Sequence, residues 1–216
     1  MDHQEEKEEF CQLMASLFSP PDDEMVRQVH MGTLYSFFQG WVHRLGGDTG
    51  ALKGFTMEGD PEILLEKLRK EYERLFTGSG EESISLVESF YKPWTLDSRC
   101  SLSFASSRGL LMGDSALHML EIYRQCGLET TDGFESCPDH LVLELEFLSY
   151  LYRWATDTEI RKFIEEHLDW ISPVKKGLES VHPHPFYGGL LEVLSLFLDH
   201  ERKRLEIEKN GSEVIH

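Results

Sequence analysis

The feature that most constrains this chain is one nearly unbroken apolar run. From Leu141 through Leu143, Leu145, Phe147, Leu148, Leu151 and Trp154 the chain carries large apolar residues on every face a helix could present. A helix apolar all round belongs in the middle of a protein, because no face of it is suited to water. Pro138 suits a first helical turn, where its missing N–H has no partner to lose. Asp139 would then lie at the positive end of the helix dipole. His140 and Glu144 interrupt the run four residues apart, so they share one face and can touch. Such a titratable pair near the start of a buried helix is either a structural hydrogen bond or a site.

The rest of the chain reads as helices too. Phe10, Leu13, Met14, Leu17 and Phe18 form one face, ended by Pro20-Pro21. Met25 to Leu45 is a second apolar stretch with a break at Gly32 and an end at Gly46-Gly47. Asp60 caps the next helix with Pro61 in its first turn, and its face is Leu64, Leu68, Tyr72, Leu75 and Phe76. Thr77 to Ser107 is irregular, and Leu110 to Gln125 reads as a helix stopped near Gly127. Thr156 and Glu159 make a capping box for a helix reaching Ile171. A last helix runs from about Phe186 to Arg204. The expectation is an all-α single helical domain of roughly ten helices. Residues 1–127 form a larger N-terminal unit, 128–137 a hinge loop, 138–205 a C-terminal unit and 206–216 a polar tail.

Charge and motifs exclude several functions. A net charge of -18 repels phosphate backbones and anionic lipid, so no nucleic acid partner is expected. No apolar run is long enough for a membrane span, and Met1 to Phe10 is acidic where a signal peptide is basic and then apolar. Four cysteines without a C-x-x-C pair read as reduced thiols, and the expected location is cytoplasmic. The phosphate-loop, dinucleotide and nucleophile-elbow motifs are missing, and no cofactor is expected. Asp139-His140 resembles the His-Asp pair of helical metal-dependent phosphohydrolases, but those need further ligands. His118, His167, His182 and His184 are available, and no spacing selects among them. The loop Leu86 to Trp94 is dense in aromatics: either it is pinned to the core by them, or it forms an apolar groove for a peptide.

Four segments in this order carry a resemblance: Tyr72-Glu73-Arg74-Leu75-Phe76; Glu88-Ser89-Phe90-Tyr91; Leu111-Met112-Gly113-Asp114 with Tyr123 to Leu128; and Pro138-Asp139-His140 with Glu144 to Leu148. Together they resemble the TorD/DmsD/NarJ-like redox-enzyme maturation chaperones over most of the chain. The resemblance implies a non-enzymatic chaperone, active as a monomer or homodimer. Its partner would be the apo form, or the twin-arginine leader, of a molybdopterin oxidoreductase catalytic subunit, held before cofactor insertion and export. It also implies a peptide groove at Tyr72, Leu75, Phe76, Ser89, Tyr91, Pro138, Asp139 and His140. Asp139, Glu144 and Glu88 would accept from arginine, and Leu75, Phe76 and Tyr91 would take the apolar stretch. One departure is that Leu86-Val87-Glu88 precedes Ser89, while Pro93-Trp94 follows it, so the Pro-Trp role of one branch is not transferred. The alternative function is a helical metal-dependent His-Asp hydrolase.

Overall fold

A computed structural model describes residues 3–57, 59–78 and 80–213. Among the described residues the chain forms ten α-helices and one 3-10 turn: α1 (His3–Leu17), α2 (Asp23–His30), α3 (Thr33–Arg44), the 3-10 turn Thr49–Phe55, α4 (Pro61–Phe76), α5 (Glu88–Tyr91), α6 (Asp114–Gln125), α7 (Leu141–Trp154), α8 (Asp157–His167), α9 (Ile171–Ser180) and α10 (Pro185–Glu213). No named strand occurs among these residues; a single antiparallel bridge joins Val87 to His140.

The apolar run becomes the central helix. Leu141, Leu145 and Leu148 of α7 are fully enclosed, and α1 packs along its length. Phe10 of α1 stacks on Phe197 of α10 at 4.2 Å between ring centroids and meets Phe38 edge-on at 5.9 Å. At the other end of α10 the backbones come unusually close. A Cβ added to Gly54 would lie 2.2 Å from Phe186 N, and one on Gly189 would lie 2.3 Å from Ala51 O. Only glycine at both positions lets the 3-10 turn lie against α10. Glu201, buried on α10, is held by Lys7 (2.9 Å), Tyr152 Oη (3.0 Å) and Arg204 (2.9 Å), which ties α1, α7 and α10 together. The basic cluster at 202–204 is thus partly consumed internally: Arg202 pairs with Asp199, and Arg204 with Asp157 and Glu201.

Several boundaries follow the sequence reading. Gly32 adopts φ +71° between α2 and α3, and Asp60 accepts a hydrogen bond from Glu62 N at 2.9 Å with Pro61 opening α4. Thr156 and Glu159 form both halves of a capping box. Others differ, each for a local reason. Pro138 and Asp139 precede α7, and His140 is its N-cap, accepting from Val142 N at 3.2 Å. Residues 139–141 are pulled into pairing with 86–88 instead, through Glu88 N to Asp139 O (3.0 Å) and Leu141 N to Leu86 O (2.8 Å). Leu110 to Gly113 is not helical. Met112 has φ +57°, Gly113 lies where a Cβ would strike Trp94 O, and α6 starts when Asp114 N bonds to Trp94 O at 2.8 Å. The helix expected to reach Ile171 ends at His167 and a new one begins at Ile171. Pro173 has no N–H to continue the ladder and its ring would meet the carbonyl four residues back, while Trp170 Nε1 donates to the freed His167 carbonyl at 2.7 Å. Past Leu205 the backbone stays helical to Glu213, where the sequence suggested only a polar tail; residues 214–216 lie outside the described residues.

Candidate functional site

Between α5, α7 and the α8–α9 corner lies a cluster of buried polar groups. Its first member is Asp139. Because 139–141 pair with 86–88, its carboxylate reaches over the start of α5, and Oδ2 accepts from Ser89 N at 2.6 Å. This acts as an N-terminal cap supplied from another segment. Burial raises the Asp139 pKa, partly offset by the bond from Ser89 N. Its Oδ1 and the Ser89 hydroxyl have no protein partner.

Glu88 sits one residue earlier and is also fully enclosed. Burial pushes its pKa up, but His167 and Lys92 outweigh this and hold the carboxyl below its usual range. His167 Nδ1 is 2.8 Å from Oε2, and Lys92 Nζ is 2.5 Å from Oε1. Lys92 reaches onward to Asp169 at 2.8 Å and to the Glu166 carbonyl at 2.5 Å, anchoring the aromatic loop to the end of α8. Glu144, on α7, faces the same space. Its Oε2 accepts from Trp170 Nε1 at 3.1 Å, and Oε1 has no hydrogen-bond donor. Complete burial and the neighbouring Glu88 charge push its pKa well above the ordinary carboxyl value, which disfavours its ionised form.

His140 and Glu144 stand four apart, but the His140 imidazole meets a backbone group, Val142 N. Burial lowers its pKa to about 4, which keeps it neutral and able to accept that bond. Among the described residues, the histidine and carboxylate groups tight enough for a metal are His118, Glu166, His167 and Glu88, Glu144, His167; neither contains Asp139 or His140. The His-Asp hydrolase alternative finds no support in this arrangement.

Tyr91 lies over Trp170 at 5.4 Å, ring planes 21° apart, and its hydroxyl donates to Ser85 O at 2.8 Å. Tyr72 and Phe76 meet edge-on at 5.3 Å, and Tyr72 Oη bonds to Phe18 O at 3.2 Å; Leu75 is fully buried. The structure therefore brings Glu88, Ser89, Asp139, Glu144 and Tyr91 together, with His140 bridged to Val87 beside them. Tyr72, Leu75 and Phe76 belong to the core face of α4, with Tyr72 and Phe76 against Tyr187 of α10. One expectation needs correction. Asp139, Glu144 and Glu88 are enclosed, as is Pro138, and do not present acceptors to an arginine from solvent. Their lone pairs are directed at Ser89 N, Trp170 Nε1, His167 and Lys92. Spacing does not single out His167 and Trp170, whose carboxylate partners Glu88 and Glu144 lie 79 and 26 residues away, whereas Lys92 stands four residues from Glu88.

What this cluster supports is exposed. The segment after α5 folds back on itself through Trp94 N to Ser107 O and Thr95 N to Ala105 O, both 2.9 Å. Phe90, Leu96, Leu102, Phe104, Leu111 and Leu117 are exposed along it and at the start of α6, Leu96 by 81%. At the other end of α6, Tyr123, Leu128, Phe147 and Tyr150 line a hollow of about 260 Å³ with Glu129 and Glu146 at its edge. Glu146 is exposed and has no ion-pair partner among the described residues; partial burial raises its pKa.

A family model described as the nitrate reductase delta subunit matches residues 44–175, which span this whole cluster, and the chain belongs to that family. A selenate reductase assembly chaperone protein of Thauera selenatis is 29% identical over 149 residues, covering 62% of this chain and 69% of that protein. The crystal structure of a redox enzyme maturation protein from Archaeoglobus fulgidus superposes with a TM-score of 0.50, covering 95% of both chains at 21% identity, and shares the fold. No helix among the described residues is long and apolar enough to cross a membrane.

Proposed function

We propose that this chain is an assembly chaperone, not a catalyst, for a molybdopterin oxidoreductase, and that it holds the twin-arginine leader or N-terminal region of the catalytic subunit until the cofactor is inserted. The observation that carries this reading is the match to the nitrate reductase delta subunit family across the cluster. The name of the Thauera selenatis relative, an assembly chaperone for another reductase, supports it. The exposed chemistry is of the right kind. A leader offers arginines followed by an apolar stretch. The exposed side chains between Phe90 and Leu117 form an apolar surface for the second part. The hollow at the hinge offers the first part unpaired carboxylates beside aromatic rings, at Glu146 and Glu129 with Tyr123 and Phe147. Guanidinium groups bind carboxylates in two-point fashion and lie favourably over aromatic faces. In this reading the buried cluster positions the aromatic segment and does not itself touch the leader. The net charge of -18 speeds encounter with a basic leader more than it tightens the complex.

The test is calorimetry with a synthetic twin-arginine leader. A Kd in the micromolar range, about -8 kcal/mol, is expected. Glu146→Gln should weaken binding, and a twin-lysine leader should bind less well because lysine keeps the charge but loses the fork. Absence of binding to any leader or N-terminal peptide of the client would remove the proposal. Wild-type affinity in Glu146→Gln would remove the hinge hollow as the arginine site.

A further inference from the structure

His118 on α6 and His167 at the end of α8 are 49 residues apart in sequence, yet His167 Nε2 lies 2.8 Å from His118 Nδ1. Glu166 brings a carboxylate oxygen within 4.8 Å of a ring nitrogen of each histidine. Two imidazoles and a carboxylate from two helices make a donor set suited to a borderline first-row divalent cation such as Zn²⁺, Co²⁺ or Ni²⁺.

The stronger argument lies behind His167. Its Nδ1 is 2.8 Å from Glu88 Oε2, with both side chains buried. Lys92 Nζ lies against the other oxygen of that carboxylate. A carboxylate in this position fixes the tautomer: Nδ1–H donates inward, and the Nε2 lone pair points outward to His118. Metal-binding histidines are oriented by an outer carboxylate in this way, which also makes them more basic. A histidine serving only as a core hydrogen-bonding group has no need of a second imidazole on its outer nitrogen. His118 and Glu166 are exposed, so a cation can reach them from solvent. The ion-pair partner of Glu166 is Lys162 at 4.0 Å, the outer limit of such a contact, so its carboxylate is free to turn inward.

We infer that His118, His167 and Glu166 form a surface site for one divalent transition-metal cation, a clamp joining α6 to α8 across the loop 128–137. Two nitrogens on a tetrahedral Zn²⁺ are roughly 3.3 Å apart, given Zn–N distances of about 2.0–2.1 Å. Occupation therefore opens the pair by about half an ångström, a small turn of the exposed His118 side chain. Without metal, His118 Nδ1–H donates to His167 Nε2. Binding moves that proton to His118 Nε2, a tautomer change that releases no proton from the pair. Three protein ligands leave a fourth position for water.

The site is tested with Zn²⁺ on the chelator-stripped full chain, by calorimetry and thermal unfolding. The expected result is one equivalent with a Kd of micromolar or tighter, and a melting temperature raised by several degrees at saturation. His118→Ala, an exposed substitution that leaves the core intact, should weaken binding at least tenfold and abolish the thermal shift. The triple change Cys100→Ser, Cys126→Ser, Cys137→Ser should leave both unchanged. Lack of saturable binding to the wild-type chain overturns the inference. So does wild-type affinity and stoichiometry in His118→Ala, or loss of binding in the thiol variant alone, which would assign the metal to cysteines.

Discussion

The neutral His140 makes a quantitative demand on stability. Its imidazole caps α7 by accepting from Val142 N at 3.2 Å, and burial lowers its pKa to about 4. In the unfolded chain the same group titrates near 6.5. Between these values the unfolded state binds more protons than the folded one, so stability is complete above pH 6.5 and falls as pH drops toward 4. The full effect of 2.5 pKa units is about 3 kcal/mol, and at pH 5 about 2 kcal/mol of it is already lost. Asp139 and Glu144 act in the opposite sense, because burial raises their pKa values and the folded state then binds the extra protons. The single-group effect is therefore read as a difference. His140→Asn retains a side-chain oxygen able to cap α7 but cannot ionise. Urea unfolding followed by far-UV circular dichroism at pH 7 and pH 5 gives the stability gap between the wild type and this variant. That gap should move by about 2 kcal/mol in favour of the variant on going to pH 5. A gap constant to within about 0.5 kcal/mol would refute the argument, showing that His140 is solvated in the folded protein or keeps its proton through another partner.

Other consequences are equally direct. Glu144→Gln should be neutral or stabilising at pH 8, because burial and the neighbouring Glu88 charge disfavour an ionised carboxyl at this position and the amide is neutral, as chemical denaturation will show. Gly54→Ala should destabilise the fold by several kcal/mol, since the new methyl meets the backbone of Pro185 and Phe186, which cannot yield as a flexible side chain would, lowering the melting temperature markedly. Leu96→Asp, at a side chain 81% exposed, should leave the melting temperature within a degree or two of wild type yet weaken leader binding severalfold. Unchanged leader affinity in that variant would remove Leu96 from the client surface.

The parts of the fold legible in sequence are those decided locally. The central helix declares itself because Leu141 to Trp154 is apolar almost all round, and Asp60-Pro61 and Thr156-Glu159 carry cap chemistry within a single turn. Two of the misjudged boundaries are set by distant contacts. α6 starts late because Gly113 is pressed against Trp94 O, and Pro138-Asp139 leave α7 to pair with Leu86 and Glu88. The same distinction governs the site. Family resemblance gathered Glu88, Ser89, Asp139, His140 and Glu144, and the structure brings them together. What spacing could not show is their burial. A carboxylate beside a helix start looks like a solvent-facing acceptor until Ser89 N is found 2.6 Å away. His118 and His167 were two histidines among ten until folding placed their nitrogens 2.8 Å apart.

Service in the maturation of a molybdopterin oxidoreductase is the central property proposed for this chain. The direct measurement is the molybdenum content of such a catalytic subunit, bearing a twin-arginine leader and drawn from the same genome, purified after expression with and without this chain. With the chain, and with the Leu96→Asp variant as the control for surface binding, the account predicts molybdenum occupancy that is several times higher for wild type than for the deletion, and intermediate for the variant. Equal occupancy in the presence and absence of the chain, for a subunit that binds it in solution, would contradict the account.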